Sequence, residues 1–494
     1  EEVIRGGGAA PLSILLNKLD PVLRQAADLG AWQIISPVEA HGLVEVVARL
    51  SDVQNDVYDQ PTVLVAARVT GEEEIPEGVV ALLTPDMPDV LSHVSVRARN
   101  EKVCFGSCFD ADTFKALQGR QGAALRLKPR GTDLQVADGD ASELAQGAAA
   151  ATAAAEAATP GAQGVAIHKR NWCGKWVVSS DTMTNEIVGG KSRNLADLRF
   201  SGQLPDDIKL PAQVALPFGT FDAVLTDPLN AGVKAALEGM YATMDVAQLP
   251  AARDVIRTLQ APPALVEALE AEMREAGLPW PGDEGPERWA QAWAAITGVW
   301  ASKYNERAFL SCRKAGLVHA DLSMAVLCQE VVPAAYAFVI HTVNPQTEDS
   351  SQIYTEVVRG LGETLVGNYP GRALSCVTNK AELTSPQVVG FPSKSVGLFV
   401  QDTLIFRSDS NGEDLEGFAG AGLYDSITMD ECTEHRIEYS EDPLVNDPEY
   451  QQYILSRIAQ AGYSIEQILN SPQDLEGCIT STGDLYIVQT RPQV

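Results

Sequence analysis

A chain of 494 residues exceeds what one hydrophobic core supports, so two or three domains follow. Its hydrophobic fraction of 45% and charged fraction of 21% are those of a globular protein, and no apolar run nears the roughly 20 residues that span a bilayer. The formal charge of −29 argues against nucleic acid and anionic membrane as partners, since both need clustered Lys and Arg, and eight scattered cysteines form no dense disulfide framework.

The opening EEVIRGGG has two acids and no apolar core; it reads as the interior of a longer protein rather than a signal or transit peptide. Residues 12–27 place Leu15, Leu16, Leu19, Val22, Leu23 and Ala26 at helical spacing. Residues 62–69 and 79–83 are short apolar runs bounded by Gly and Pro, hence buried strands, with further strands expected at 102–106 and 133–136. This first unit covers residues 1–144. Residues 145–164, Ala-rich and ending in Pro-Gly, read as an interdomain linker that lets the first unit swing. A second unit, 165–494, holds a mostly helical stretch at 229–318. Within it, 262–276 is a helix started by Pro262-Pro263, with Leu265, Leu269 and Met273 on one face. Strand-like runs return at 323–343, 395–408 and 484–490, and no internal repeat is visible.

The most informative stretch of the first unit is TPDMPDVLSHVSVRAR, residues 84–99. Ser92 is a good N-cap, and the helix it starts puts the His93 imidazole at a positive helix end, with Arg97 and Arg99 close by. Free N–H groups there would receive a phosphoryl group carried on His93. Neutral imidazole is a nucleophile near pH 7 and needs less activation than a hydroxyl.

This segment resembles the phosphohistidine domain of the phosphoenolpyruvate synthase and pyruvate phosphate dikinase group, and its wording resembles the plant-type α-glucan, water dikinases in particular. Leu91 stands where pyruvate phosphate dikinases carry a regulatory threonine, so that control is expected to be absent. The resemblance implies an α/β and α+β multidomain fold. In it, a swivelling phosphohistidine β/β/α domain precedes an ATP-grasp nucleotide-binding domain with a helical insertion.

The second unit carries the pieces such a domain needs. EIVGGKSRNL, residues 186–195, offers two glycines that let backbone approach phosphates, and Lys191 as a point charge; the resemblance makes Lys191 an ATP contact. VLCQEVVPAAYAFVIHTVNP resembles the strand and hinge that hold adenine in ATP-grasp folds, with Gln329 and Glu330 at the hinge. Upstream, Arg307 and Arg313 match the family's spaced arginines. EVVRGLGETLVGN holds Gly360, Gly362 and Glu363, a glycine turn of the family. FRSDSNGEDLEGFAGAG, residues 406–422, reads as a mobile loop over polyphosphate, with Arg407 pointing in. Near the end, Glu476 and Gln489 fall on two strands of a hairpin turned at Gly483-Asp484, where a carboxylate and an amide oxygen can face one Mg²⁺. The resemblance makes Glu476 and Gln489 the metal ligands, Asp474 a weaker candidate, and Arg491 a phosphate contact.

KVCFGSCFD follows the histidine segment. Fully extended, Cys104 and Cys108 stand about 13 Å apart, whereas a disulfide needs Cα atoms within ~7 Å, and Gly106 and Ser107 permit a bend. Two small buried residues at a strand end remain the plain alternative. The resemblance favours the bond: glucan, water dikinases carry a redox-controlled Cys-Phe-Ala-Thr-Cys pair here, and phosphoglucan, water dikinases lack it.

The expected function is thus that of an α-glucan, water dikinase. ATP, water and a starch-type α-glucan such as amylopectin give AMP, orthophosphate and a glucan phosphorylated on a glucosyl 6-hydroxyl, through phospho-His93. The implied partners are ATP with Mg²⁺, the glucan and a thioredoxin-type reductant, in a plastid. The alternatives are phosphoglucan, water dikinase, acting on a neighbouring hydroxyl, and a non-catalytic starch-associated scaffold.

Overall fold

The computed structural model describes residues 30–493 except 55, 72, 87, 89, 91, 131–132, 141–166, 242–244, 315, 367–368, 370 and 413–422. The helix expected at 12–27 and the linker at 145–164 lie outside the described residues.

In the first unit seven strands join one hydrogen-bonded sheet rather than two, in the order Trp32–Ser36, Cys104–Cys108, Glu77–Thr84, Val57–Ala66, Ala40–Val47, Ala124–Arg130, Asp133–Asp138. The four strands between Cys104–Cys108 and Ala40–Val47 run parallel. Interior parallel strands are covered on both faces, which is why Val63, Leu64, Val65 and Ala66 are all fully buried in an unbroken apolar run. Leu64 and Leu82 pack under helix His93–Asn100 through Val94 and Ala98. Val63, Val65 and Leu83 face the other way, toward Phe114 and Leu117 of helix Ala111–Gln118. The strands expected at 62–69, 79–83, 102–106 and 133–136 are present. Strands Trp32–Ser36, Ala40–Val47 and Ala124–Arg130 were not foreseen, since AHGLVEVV and ALRLKPR mix polar residues into weak alternation.

The second unit has two main sheets. A five-stranded one, built around Gln213–Leu216, Met324–Val331 and Thr403–Ser410, packs on a helical block. The block includes helix Pro263–Glu275, whose Pro262 N-cap and buried Leu265, Leu269 and Met273 match the sequence reading. A seven-stranded sheet runs Gln387–Gly390, Leu374–Asn379, Gln352–Arg359, Ala334–His341, Gln473–Thr480, Leu485–Pro492, Ile208–Lys209. Helix Pro448–Leu469 buries Ile454, Ile458 and Ile465 against it. The run read as 323–343 is two strands, one in each sheet, divided at Val332-Pro333. Proline has no N–H to continue a ladder, and the chain crosses between sheets there.

The glycine turn after Gln352–Arg359 is sterically required. Gly360 has φ +76°, and a Cβ there would collide with the Leu398 carbonyl oxygen, with which the turn forms an isolated parallel bridge. Gly360→Ala should therefore destabilise the second unit by about 1–3 kcal/mol, read as a lower urea midpoint, whereas Gly232→Ala, in a helix with open space, should not.

Candidate active site

The last two strands set the site. Residues facing each other across an antiparallel pair share a face, and so do residues two apart along one strand. Glu476 stands opposite Gln489, and Asp474 opposite Arg491. The hairpin thus presents two rungs on one face, roughly 7 Å apart along the strand.

On the first rung, Gln489 Nε2 donates to Glu476 Oε1 at 3.1 Å. Arg407, from the neighbouring five-stranded sheet, places Nη2 2.6 Å from Gln489 Oε1 and 3.5 Å from Glu476 Oε2. Its Nη1 donates to the Val488 carbonyl at 3.2 Å and to Gln329 Oε1 at 3.4 Å. Glu363 opens toward the same cluster. Loss of hydration and the Glu476 charge push its carboxyl above its ordinary value, and Arg407 opposes the shift. Among the described residues there is no group of three or more His, Cys, Asp or Glu side chains fit for a metal. The donor set of one carboxylate and one amide oxygen nevertheless fits a hard cation that keeps water and phosphate for its other ligands. A guanidinium nitrogen rests on both of those oxygens, so they already face a positive charge.

On the second rung, Arg491 donates twice to Asp474 Oδ2, at 2.8 and 2.6 Å. His341 Nε2 lies 3.5 Å from the other oxygen, Oδ1. Burial works to raise the Asp474 carboxyl, but Arg491 and His341 outweigh it and hold the group well below the ordinary range.

His93 meets this second rung. Val90, from its own loop, packs among Val332, Ala334, Ala337, Val339 and Tyr354 of the second unit. Burial first, then the charges of Arg97, Arg491 and Arg307, lower the His93 pKa to about 3, while Asp474 alone opposes them. Burial and those charges favour the neutral imidazole, and cations of both units act on it. His93 lies here beside the nucleotide-side residues.

Several expectations change in detail. Ser92 occupies the N-cap, but its hydroxyl pairs with Ser95 Oγ at 2.9 Å, and the Val94 N–H donates to the Gly71 carbonyl. The helix start is thus partly closed to an anion. Arg97 turns inward, to the Glu73 carbonyl and the Glu74 carboxylate at 2.9 and 3.1 Å. The Gly-Gly-Lys amides do not lie open either. Asp409 accepts from the N–H groups of Gly189, Lys191 and Ser192 at 2.9, 3.0 and 3.3 Å. A Cβ on Gly189 would strike that carboxylate, so this glycine admits Asp409 rather than a phosphate. Lys191 Nζ donates to the Ser408 carbonyl and hydroxyl, on the strand that carries Arg407. Arg307 pairs with Asp425 at 2.7 Å. Gln329 is buried beside Arg407, whereas Glu330 turns away to accept the Ala212 N–H at 2.6 Å. Arg407 lies in strand Thr403–Ser410 rather than in a loop, and residues 413–422 of the expected loop fall outside the described ones.

Cys104 and Cys108 are free thiols at the two ends of one strand, which is paired on both edges. A regular strand sets them about 13 Å apart, so a bond between them requires the strand to open first. Burial pushes the thiols up to about 12 and about 11, which leaves little thiolate. His341, Asp409 and Glu356 were not foreseen as part of the site. His341 carried a signal only as the last residue of an apolar run.

Residues 31–145 match the family model described as alpha-glucan water dikinase, phosphohistidine-like domain, and residues 287–377 match pyruvate phosphate dikinase, AMP/ATP-binding domain. All of the chain aligns with a chloroplastic alpha-glucan water dikinase of Solanum tuberosum at 55% identity and with alpha-glucan water dikinase 1, chloroplastic, of Arabidopsis thaliana at 53%, covering 33% and 35% of those proteins. A probable phosphoenolpyruvate synthase of Pyrococcus abyssi is 24% identical over 40% of the chain and 21% of its own length. The chain spans about one third of the length of the glucan dikinases it matches. It therefore resembles alpha-glucan water dikinases throughout, and it contains a phosphohistidine-like domain and a dikinase-type AMP/ATP-binding domain.

The depressed His93 pKa carries a sign that can be checked. An ordinary imidazole titrates near 6.5 and the docked one near 3, and the share of that shift due to Arg491 and Arg307 exists only where the units meet. Between those values the open form binds a proton that the docked form refuses, so docking is fully favoured above pH 6.5 and weakens as pH falls toward 3. NMR titration should find His93 still neutral at pH 5, and a value near 6.5 in the docked protein would contradict the geometry.

Proposed function

We propose that this chain is the phosphohistidine and nucleotide-binding part of an α-glucan, water dikinase, made of a swivelling domain at 1–144, a linker at 145–164 and an ATP-grasp domain at 165–494. The observation that carries the reading is a histidine segment packed through Val90 on the nucleotide-side unit, near enough for Asp474, Arg491 and Arg307 of that unit to act on the charge of His93. A group carried on that histidine and a nucleotide bound to that unit meet there, which is what transfer from ATP to His93 demands. The names of the relatives, identical over about half the aligned positions, supply the acceptor: an α-glucan, in a chloroplast.

In this reading the His93 lone pair attacks the β-phosphorus, and AMP leaves. The γ-phosphoryl passes to water, the β-phosphoryl stays on His93, and the phosphohistidine then donates it to a glucosyl 6-hydroxyl. Arg407 and Lys191 bind the polyphosphate, Arg491 and Arg307 face the transferred group, and Gln329 borders the base. Mg²⁺ held by Glu476 and Gln489 would spread the charge that develops on the phosphate oxygens. Arg407 would then pass from those oxygens to the phosphates. Asp474, anchored by His341, holds Arg491 with its charge toward His93. The residues are bound by interactions that fix them before substrate arrives, which is the form electrostatic catalysis takes.

A redox control at Cys104 and Cys108, served by a thioredoxin-type reductant, belongs to the same proposal. Closing that bond means breaking the strand next to His93, so the oxidised protein is expected to lose activity through altered placement of the histidine. Phosphoglucan, water dikinase is the second reading; the Cys pair counts against it.

ATP labelled separately at the β and γ positions tests the proposal. The β label should appear on the protein and then on glucan, the γ label in orthophosphate, and His93→Ala should abolish both β products while ATP still binds. Label on His93→Ala protein would overturn it. Glu476→Ala or Gln489→Ala should slow the loading of His93 by at least about 100-fold yet spare transfer from preformed phosphohistidine to glucan. Cys108→Ser should keep its activity under oxidant while the native chain loses it; equal loss in both makes the pair structural only.

A further inference from the structure

The two units touch through more than the histidine. Arg372, in the turn before strand Leu374–Asn379, donates Nη2 to Gln33 Oε1 at 2.9 Å. Its guanidinium also lies 5.7 Å from the Phe109 ring centroid. Gln33 and Phe109 flank the strand Cys104–Cys108: Gln33 pairs with Ser107 in the neighbouring strand, and Phe109 follows Cys108. The reverse contact comes from Val90, in the loop before helix His93–Asn100. Arg99 at its end donates Nη1 to the Val90 carbonyl at 2.8 Å, and Val90 itself sits in the apolar cluster of the second unit with Tyr354. Glu356, 2% exposed, accepts from the Tyr354 hydroxyl at 3.0 Å on that same surface. Burial draws the Arg99 pKa down to about 10, with Glu356, Tyr354 and Asp474 opposing.

We propose that these two arginines form a clasp that docks the first unit for loading of His93: Arg372 reaches from the second unit onto Gln33 and Phe109, and Arg99 braces the Val90 carbonyl so that Val90 seats in the apolar cluster of the second unit. The reciprocity is what makes it a docking device. Two separate anchors, one near Val90 and one near Phe109, fix both position and rotation, which a single contact cannot do. Each anchor is modest. A cation on an aromatic face plus one hydrogen bond contributes of the order of 1–2 kcal/mol, so the clasp holds during loading yet opens for transfer. A guanidinium suits this because its flat face stacks while its edge donates, a combination an ammonium lacks. Arg372 and Arg99 are positioning residues and touch no reacting atom.

The inference rests on the dikinase reading for its kinetic consequence, but its physical content is measurable without catalysis. Small-angle scattering of the intact chain should give a larger radius of gyration for Arg372→Ala than for the native protein, with an unchanged melting temperature. In β-label experiments Arg372→Ala should load His93 roughly tenfold more slowly at saturating ATP, the loss expected from those two contacts. Its KM for ATP and its rate of transfer from preformed phosphohistidine to glucan should stay native. Arg372→Lys should fall between, and Phe109→Leu added to Arg372→Ala should cost nothing more. Val90→Ala checks the second anchor in the same way. A native radius of gyration in Arg372→Ala, equal loss in both half-reactions, or additive losses in the double variant would overturn the clasp. If the native chain itself takes no β label, the dikinase reading fails, and the clasp then stands or falls on the scattering alone.

Discussion

A guanidinium resting on two oxygens across the terminal hairpin fixes the geometry of everything near it. Arg407 comes from one sheet, while Gln489 and Glu476 come from the other, and the bond at 2.6 Å to Gln489 ties the two sheets together. Its side chain is largely buried, where an unmatched charge would be costly, so the carboxylate and amide opposite it keep their orientation. The same hairpin places Asp474 and Arg491 one rung away. The distance between the Arg407 cluster and the Asp474 cluster near His93 is therefore set by the repeat of a β-strand.

The charge balance gives this cluster its selectivity. The chain as a whole carries −29, yet Arg97, Arg307 and Arg491 act together on the charge of His93, and Lys191 reaches from its helix to the strand that carries Arg407. Cations gathered in a cleft of an acidic molecule focus an anionic ligand on one place and leave the remaining surface unattractive to it. They also keep the imidazole neutral. A ring with one unprotonated nitrogen is the outcome, and burial and positive charge act in the same direction to produce it.

The thiol strand joins the two parts of this arrangement. Cys104–Cys108 is an interior strand, paired with Trp32–Ser36 on one side and Glu77–Thr84 on the other. Gln33 is one of its register partners and Phe109 its continuation, and both touch Arg372 of the second unit. Whatever distorts that strand moves the surface on which the units meet. Its two cysteines are buried and held apart, so chemistry between them is coupled to the integrity of the strand rather than to their own reactivity.

Much of this was legible in the sequence. The buried strands at 63–66 and 81–83 announce themselves as apolar runs, and Pro262-Pro263 starts a helix because proline suits a helix's first turn. His93 after Ser92, and the Glu476–Gln489 pairing across a Gly483 turn, follow from local pattern, since capping and register are short-range. Longer-range choices were not legible. Nothing near Gly189 says that its amides are filled by Asp409, 220 residues away, or that Glu330 spends its carboxylate on Ala212. Arg97 and Arg99 look equivalent in sequence, yet Arg97 binds Glu73 and Glu74 while Arg99 binds the carbonyl of Val90, the residue that packs on the second unit, because helical spacing of two residues points them in different directions. The sequence by itself determined which elements form and which chemical groups they carry. Only the tertiary structure decided which of those groups meet, because hydrogen-bond partners and burial depend on contacts between residues hundreds of positions apart.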